Sequence, residues 1–201
     1  MIIKASVVQE SPVFFAREET FEKVERIVAA CAGRESQLIV FPESFIPGYP
    51  RGFDFGTRIG SRTPKGKRQY AEYHRASVDL SGRDRIRLES IAESNGVYLV
   101  IGITEKTTIN GSLYCSMAYI SPKKGLMGVH RKIKPTGTER LVWGEGNGKD
   151  LVSCRTDIGI LGGLICWENY MPAARMAMYR KGVQLYIAPT ADSRENWTAT
   201  L

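Results

Sequence analysis

The sequence lacks several features that would assign it at once to a class of protein. No window of about 18 apolar residues occurs, so no transmembrane helix is predicted. The chain has only two histidines, and none of its four cysteines forms a CxxC pair, so no zinc site is expected. No secretory leader or GxSxG elbow is present either. These absences favour a cytoplasmic protein with reduced thiols, no metal and no membrane partner.

The composition is that of an ordinary globular domain. The 201 residues are 43% hydrophobic and 24% charged, which is enough apolar material for one core. The net charge of +7 suggests nucleic-acid binding as one hypothesis. The basic residues are spread along the chain, however, apart from the short runs Arg58–Arg68 and Arg131–Lys134. A solvated basic surface without a nucleic-acid partner is therefore the preferred interpretation.

The first third of the chain alternates strand and helix patterns. Ile2–Gln9 is rich in β-branched residues and predicts a buried strand, and Phe15–Ala32 has helical spacing. Gln37–Phe41 predicts a second strand that stops at Pro42. Segment 47–68, with many Gly, Pro and Arg residues, predicts a long loop. This β-α-β opening favours an α/β fold.

The remaining two thirds continue the series. Arg83–Ser94 predicts a helix with Ser81 as its N-cap and Asn95-Gly96 as its stop. A further helix is predicted over Pro172–Lys181. Strands are predicted over Val97–Thr104, Ser112–Ser121, Leu126–Ile133, Ile158–Ile165 and Val183–Ala188.

Cys166 is the first candidate for chemistry. An apolar strand delivers it to a strand end, where ligand sites of α/β folds collect. Backbone N–H groups nearby could face a developing negative charge. The alternative is a buried structural cysteine, which is the interpretation that we give to Cys31, Cys115 and Cys154 within their apolar patterns.

Glu43 and Lys132 are two further candidates. Glu43 follows a strand and lies between Phe41 and Phe45, and the resulting desolvation would raise its pKa and suit it to act as a base. Lys132 lies in a predicted strand, whose side chains alternate between its two faces. A lysine on the face that points into the protein needs a partner or a function. The alternative for Glu43 is an exposed glutamate in a loop. The alternative for Lys132 is a position on a solvated edge strand.

Together these stretches resemble the nitrilase, or carbon–nitrogen hydrolase, superfamily. The matching runs are Phe41-Pro-Glu-Ser, His130-Arg-Lys-Ile-Lys-Pro-Thr and Cys166-Trp-Glu-Asn, in the order Glu, Lys, Cys. Thr136-Gly-Thr-Glu-Arg-Leu-Val-Trp-Gly-Glu-Gly and the run from Cys166 to Pro172 resemble the nitrilase branch in particular. The resemblance extends over essentially the whole chain and implies a four-layer α-β-β-α sandwich.

The resemblance also implies roles for individual residues. Cys166 would be the nucleophile, Glu43 the general base and Lys132 the cation beside the tetrahedral intermediate. Glu139 would position the site, and Trp167 and Glu168 would bind substrate or developing charge. The implied reaction converts an organic nitrile to a carboxylic acid and ammonia, with no metal or organic cofactor.

Several expectations follow for the molecule as a whole. We expect residues 1–201 to form a single carbon–nitrogen hydrolase domain that lacks the C-terminal part of the usual domain. A homo-oligomer, either a dimer or a spiral assembly, is implied. The alternatives are an amidase, a cyanide-converting enzyme or an inactive truncated fragment. The Trp167-Glu168 pair argues against the amidase, and the substrate pocket is expected to use the loop Pro47–Gly60, Trp167 and residues after Pro189.

Overall fold

Two β-sheets stacked face to face form the centre of the structure, and helices cover their outer faces. The computed structural model describes residues 2–192, 194 and 195. The strands are β1 (Ala5–Val7), β2 (Leu38–Val40), β3 (Thr57–Arg58), β4 (Ser61–Arg62), β5 (Tyr98–Lys106), β6 (Leu113–Ser121), β7 (Gly125–Arg131), β8 (Ser153–Thr156), β9 (Gly159–Gly163) and β10 (Leu185–Ile187). The helices are α1 (Arg17–Ala32), α2 (Pro64–Ala76), α3 (Arg83–Asn95) and α4 (Pro172–Arg180).

The larger sheet has five strands in the order β1-β2-β5-β6-β7. Strands β1, β2 and β5 run parallel, whereas β6 is antiparallel to both of its neighbours. Consequently β2 and β7 point the same way, and their carboxyl ends lie at the same edge of the sheet. The smaller sheet has the order β10-β9-β8, with β10 parallel to β9.

Alternating side chains of β2 show how the layers form. Leu38 points into the core between the two sheets, whereas Ile39 points into the core beneath the helices. This period of two lets one strand contribute to two apolar cores. The outer core joins α1 and α3 to the larger sheet, and a third core joins α4 to the smaller sheet. The result is the expected order of layers, α-β-β-α.

Several predicted elements match the structure closely. The apolar stripe of α1 is buried at Phe21, Val24 and Val28, as its helical spacing predicts. Helix α3 ends at Gly96, whose left-handed backbone (φ 65°) is the conformation that glycine adopts without steric cost. The Asn110-Gly111 turn lies between the antiparallel strands β5 and β6.

Other sequence predictions are corrected by the structure. Segment 47–68 is not one long loop, because it contains the β3–β4 hairpin and the start of α2 at Pro64. The N-cap of α3 is Gly82 rather than Ser81, since the Ser81 hydroxyl instead donates to Asp79. Strand β8 was not predicted, because its four residues are too short and too polar to give a period-two signal.

Strand β1 was predicted as buried, and it is not. The side chain of Val7 is 76% exposed. The reason is that, within the described residues, the smaller sheet ends at β10 and no strand of it covers β1. A groove of about 1120 Å³ therefore lies between these two edge strands, with Val7, Val40, Leu185 and Ile187 among its lining residues.

Candidate active site

Three chain segments bring Glu43, Lys132 and Cys166 towards one another. Glu43 lies in the turn after β2, and Lys132 is the first residue after β7, so both lie at the carboxyl edge of the larger sheet. Cys166 follows β9 of the facing sheet. Because the two sheets are stacked, ends that are distant in sequence meet between them, as ligand sites of α/β folds commonly do.

A glycine of β5 allows the turn that carries Glu43 to lie against the sheet. A Cβ atom at Gly102 would stand 2.7 Å from the Glu43 Cα atom, closer than real side chains permit. The N–H of Phe45 donates to the Gly102 carbonyl over 2.8 Å and ties the turn down. The absence of a side chain at position 102 therefore sets the depth at which the carboxylate enters the site.

Lys132 is fully buried between two carboxylates. Its Nζ donates to Glu43 Oε1 over 2.6 Å and to Glu139 Oε2 over 2.8 Å. Burial alone would lower the pKa of Lys132, but Glu43 and neighbouring acidic groups raise it well above its usual range. Lys132 is thus held as a cation, because a buried ammonium persists only when it is paired.

Glu43 experiences opposing effects. Burial raises the pKa of its carboxyl group above the usual value, although Lys132 acts to lower it. Oε1 accepts from Lys132 and, over 3.5 Å, from the thiol of Cys115. Oε2 accepts only the Ala191 N–H among the described contacts, over 3.1 Å. Oε2 therefore retains a lone pair that can accept a proton.

Both carboxylate oxygens of Glu139 accept hydrogen bonds from groups other than Lys132. Its Oε1 accepts from the Tyr49 hydroxyl over 2.6 Å, and its Oε2 accepts from the Thr136 N–H over 2.6 Å. The Thr136 contact is half of a capping box at the start of a short 3₁₀ helix, Gly137–Leu141. Glu139 therefore helps Glu43 to fix the position of the Lys132 ammonium.

Cys166 occupies a strained backbone position at the start of a second 3₁₀ helix, Cys166–Tyr170. Its φ of 50° lies in the left-handed region, which side chains other than glycine rarely adopt and which is frequent at functional sites. Its N–H donates to the Pro189 carbonyl, and its sulfur accepts from the Thr190 hydroxyl. Burial and the Glu43 carboxylate raise the pKa of the thiol to about 12.

A cavity of about 250 Å³ opens onto Glu43, Glu139 and Cys166, whereas Lys132 lies behind the two carboxylates and does not line it. Its walls come from the loop after β2, the 3₁₀ helix at Gly137–Leu141, the Cys166 turn and the segment after β10; the lining residues are Glu43, Tyr49, Arg51, Thr136, Glu139, Cys166, Trp167, Ala191, Asp192 and Arg194. The Pro47–Gly60 loop, Trp167 and the chain after Pro189 all contribute, as the sequence led us to expect. The Trp167 side chain is 40% exposed at the mouth.

Glu168 is not among the residues that line this cavity, and its expected contact with substrate stays a prediction. Its Oε2 accepts from His130 Nε2 and from the Ile165 N–H, and its Oε1 accepts from the Ile133 N–H. His130 is equally buried; burial lowers its pKa, but the contact with Glu168 outweighs this effect and raises it. Glu168 thus ties the Cys166 turn to the chain beside Lys132.

We expect Glu168→Gln to destabilise the fold. An amide presents one oxygen where the carboxylate presents two, so at least one buried N–H loses its acceptor, at a cost of about 1–3 kcal/mol. Urea unfolding followed by circular dichroism measures this loss. The matched control is Glu145→Gln, because Glu145 pairs with Lys134 at the surface and its loss should leave the urea midpoint almost unchanged. Equal losses in the two variants would contradict the structural role of Glu168.

Four contacts of the site were missed from the sequence. Tyr49 lies in a loop, and the backbone N–H of Ala191 carries no side-chain signal. Cys115 is buried in the core as predicted, but its sulfur also faces Glu43. Thr190 follows Pro189, shortly after β10 ends at Ile187, and this proline was the only local sign of its placement.

The described residues offer neither a metal-ligand cluster nor a membrane-spanning helix. No group of three or more His, Cys, Asp or Glu side chains has the arrangement to hold a metal ion there. Over the same part of the chain, none of the helices combines the length and the apolar character needed to cross a membrane.

The layered fold and the sequence around the cavity place the chain in one class of hydrolases. A family model described as carbon-nitrogen hydrolase matches residues 4–200, and the chain belongs to this family. Its relatives carry nitrilase names, which agrees with the branch that the motifs indicated.

Two curated relatives illustrate the similarity. A bifunctional nitrilase/nitrile hydratase of Lupinus angustifolius is 46% identical over 199 residues, which are 99% of this chain and 56% of that protein. An aliphatic nitrilase of Sinorhizobium fredii (strain HH103) is 46% identical over 198 residues, which are 98% of this chain and 63% of that protein. The chain thus spans somewhat more than half the length of these relatives.

Solved structures confirm the fold. An amidase from Nesterenkonia sp. superposes with a TM-score of 0.75 at 18% sequence identity, over 98% of this chain and 68% of the amidase. At that identity the likeness concerns the arrangement of the layers.

Proposed function

We propose that this site hydrolyses an organic nitrile to a carboxylic acid and ammonia, with Cys166 as nucleophile, Glu43 as base and Lys132 as electrostatic stabiliser. The observation that carries the proposal is the pair of carboxylates, Glu43 and Glu139, that hold the buried Lys132 ammonium and line one cavity with Cys166. The nitrilase names of the relatives support the choice of substrate class.

The first half of the reaction adds the thiol across the nitrile. Glu43 Oε2 takes the proton of Cys166, the sulfur attacks the nitrile carbon, and the proton passes to the nitrogen to give a covalent thioimidate. A nitrile carbon is a weak electrophile, so a sulfur nucleophile suits it. We assign to Lys132 and the Trp167 N–H the stabilisation of the charge that develops on the substrate nitrogen.

The second half uses two water molecules. Glu43 activates the first water, which attacks the thioimidate carbon, and ammonia leaves to give a thioester. The second water attacks the thioester, and the acid departs as the Cys166 thiol regains its proton. If the first tetrahedral intermediate expels the sulfur in place of ammonia, the product is the amide. The assay must therefore measure both products.

The decisive experiment supplies the chain with a panel of aliphatic and aromatic nitriles and with the matching amides. Ammonia and carboxylic acid should appear from at least one nitrile, and the isosteric Glu43→Gln chain should serve as the inactive blank. Turnover of amides alone would support the amidase alternative. A folded chain that releases neither ammonia nor amide from any nitrile would contradict the proposal.

The pKa directions predict the pH profile of this reaction. Glu43 must be ionised to accept the thiol proton, and its pKa lies above the ordinary value of 4.5. We therefore expect kcat/KM to rise with pH through a limb that lies above the range of an exposed glutamate. Because the pKa of Lys132 is raised, loss of its charge should not lower kcat/KM near neutral pH. A limb at or below pH 4.5 would contradict the role of Glu43.

We also propose a cytoplasmic homo-oligomer. All four cysteines are free, which suits a reducing compartment. The side chains of Met176 and Tyr179 are half exposed on α4 and provide an apolar face for association. Light scattering of the purified chain should give a mass above that of the monomer, and a monomer would contradict the assembly.

A further inference from the structure

The segment that follows β10 lies over the candidate nucleophile. The Cys166 N–H donates to the Pro189 carbonyl over 2.9 Å, and the Ala191 N–H donates to Glu43 over 3.1 Å. Between these anchors the side chain of Thr190 is partly buried, and its Oγ1 lies 3.1 Å from the Cys166 sulfur. Thr190 is therefore held on both sides in the chain, and its hydroxyl faces the nucleophile.

The direction of the Thr190 hydroxyl proton follows from its second contact. Oγ1 accepts the Asp192 N–H over 3.0 Å, so one lone pair is already used. A hydroxyl has one proton to donate, and the sulfur is the acceptor at hydrogen-bond distance. The Thr190 hydroxyl is therefore already oriented to donate to the Cys166 sulfur before substrate binds.

We propose that Thr190 is a further catalytic residue, whose hydroxyl stabilises the sulfur of Cys166 whenever that sulfur carries negative charge. The assignment rests on the proposed function, in which Cys166 attacks the substrate. Hydrogen bonds to a charged acceptor are about twice as strong as those to a neutral one, so the donor favours the thiolate over the thiol. It opposes the burial that disfavours the thiolate.

The same hydroxyl would act twice in each turnover. It lowers the barrier when Cys166 loses its proton and attacks the nitrile carbon. It acts again when the carbon–sulfur bond of the thioester breaks and the sulfur leaves with the electron pair. In both steps the contact strengthens between ground state and transition state, which is the condition for an effect on kcat rather than on KM alone.

The test compares Thr190→Val, which keeps the shape and removes the donor, with Thr190→Ser, which keeps the donor. The first readout is the rate of alkylation of Cys166 by iodoacetamide at several pH values, followed by mass spectrometry of the peptide. Loss of the donor should lower the thiolate fraction about tenfold. The less stabilised thiolate is intrinsically more nucleophilic, so the net expected effect is about three- to fivefold slower alkylation.

The second readout is nitrile hydrolysis. We expect Thr190→Val to lower kcat about tenfold with little change in KM, and Thr190→Ser to remain within about threefold of the native chain in both assays. Should the valine variant fail to fold, Thr190→Ala takes its place with the same expected result. A merely structural role would lower stability without changing the alkylation rate of the folded chain.

Two results would overturn the assignment. One is alkylation of Cys166 in Thr190→Val as fast as in the native chain, and the other is failure of Thr190→Ser to restore the rate. Alkylation requires no nitrile. This assay therefore measures the effect of Thr190 on the reactivity of Cys166 even if the chain hydrolyses no nitrile. Failure of the Thr190 assignment and failure of the proposed function are thereby distinguished.

Discussion

The Cys166→Ala chain should release no ammonia above the uncatalysed background from any nitrile that the native chain hydrolyses. The expected loss in kcat is at least about 10⁴-fold, because no covalent intermediate can form and the remaining groups only bind and polarise the substrate. Ammonia release under saturating nitrile measures the effect. The folded state is checked by circular dichroism, since alanine must accept the left-handed backbone of position 166.

The matched control for this prediction is Cys31→Ala. Cys31 lies on α1 and packs against the core beneath the helices, on the far side of the larger sheet from the cavity. Its replacement should leave kcat within about twofold of the native value. Undiminished ammonia release from Cys166→Ala would mean that another group attacks the nitrile.

The second large effect is expected for Lys132→Met. Removing the ammonium leaves the carboxylates of Glu43 and Glu139 facing each other in a buried site, and one of them will take up a proton. The variant thereby loses the stabilising cation. In the fraction of molecules in which Glu43 takes up the proton, it also loses its general base. We expect kcat to fall by about 10³-fold and the free energy of unfolding to fall by about 3–5 kcal/mol near neutral pH.

The pH dependence of that destabilisation has a definite sign. The pKa of Glu43 in the folded chain already lies above its ordinary value of 4.5, and loss of Lys132 raises it further. The folded chain then binds the Glu43 proton more tightly than the unfolded chain does. The contribution of this proton to stability is full at low pH and is lost as pH rises through the pKa of Glu43 in the folded chain. Urea unfolding at about pH 5 and about pH 8 should show the smaller deficit at the lower pH.

Lys134→Met is the matched control for the lysine. Lys134 lies two residues further along the chain and forms a surface ion pair with Glu145. Surface pairs of this kind contribute about 0–1 kcal/mol, so activity and stability should change little. An equal loss of activity in both lysine variants would contradict the specific pairing of Lys132 with Glu43 and Glu139.

Local sequence patterns predicted much of the fold because they report burial directly. The stripe of α1 and the glycine stop of α3 are short-range signals, and both match the structure. Strand β1 shows where such signals fail. Its β-branched residues indicate a strand, but whether its faces are covered depends on how far β10 and the smaller sheet extend.

The candidate site likewise has features that local sequence patterns predict and contacts that they do not. The position of Glu43 between Phe41 and Phe45 predicted a desolvated carboxylate, and the inward face of Lys132 predicted a partner. The contacts of Glu168 with His130 and of Thr190 with Cys166 join residues that are 38 and 24 positions apart. No local pattern specifies such pairs, because the stacking of the two sheets creates the first and the parallel pairing of β9 with β10 creates the second.

The most direct test of the central claim is to quench the enzyme in acid during turnover of a nitrile and determine the masses of its cysteine peptides. The account predicts that the peptide with Cys166 carries a thioimidate or thioester adduct of the substrate, whereas the peptides with Cys31, Cys115 and Cys154 stay unmodified. A nitrile-derived adduct on any other residue, with Cys166 free, would contradict it.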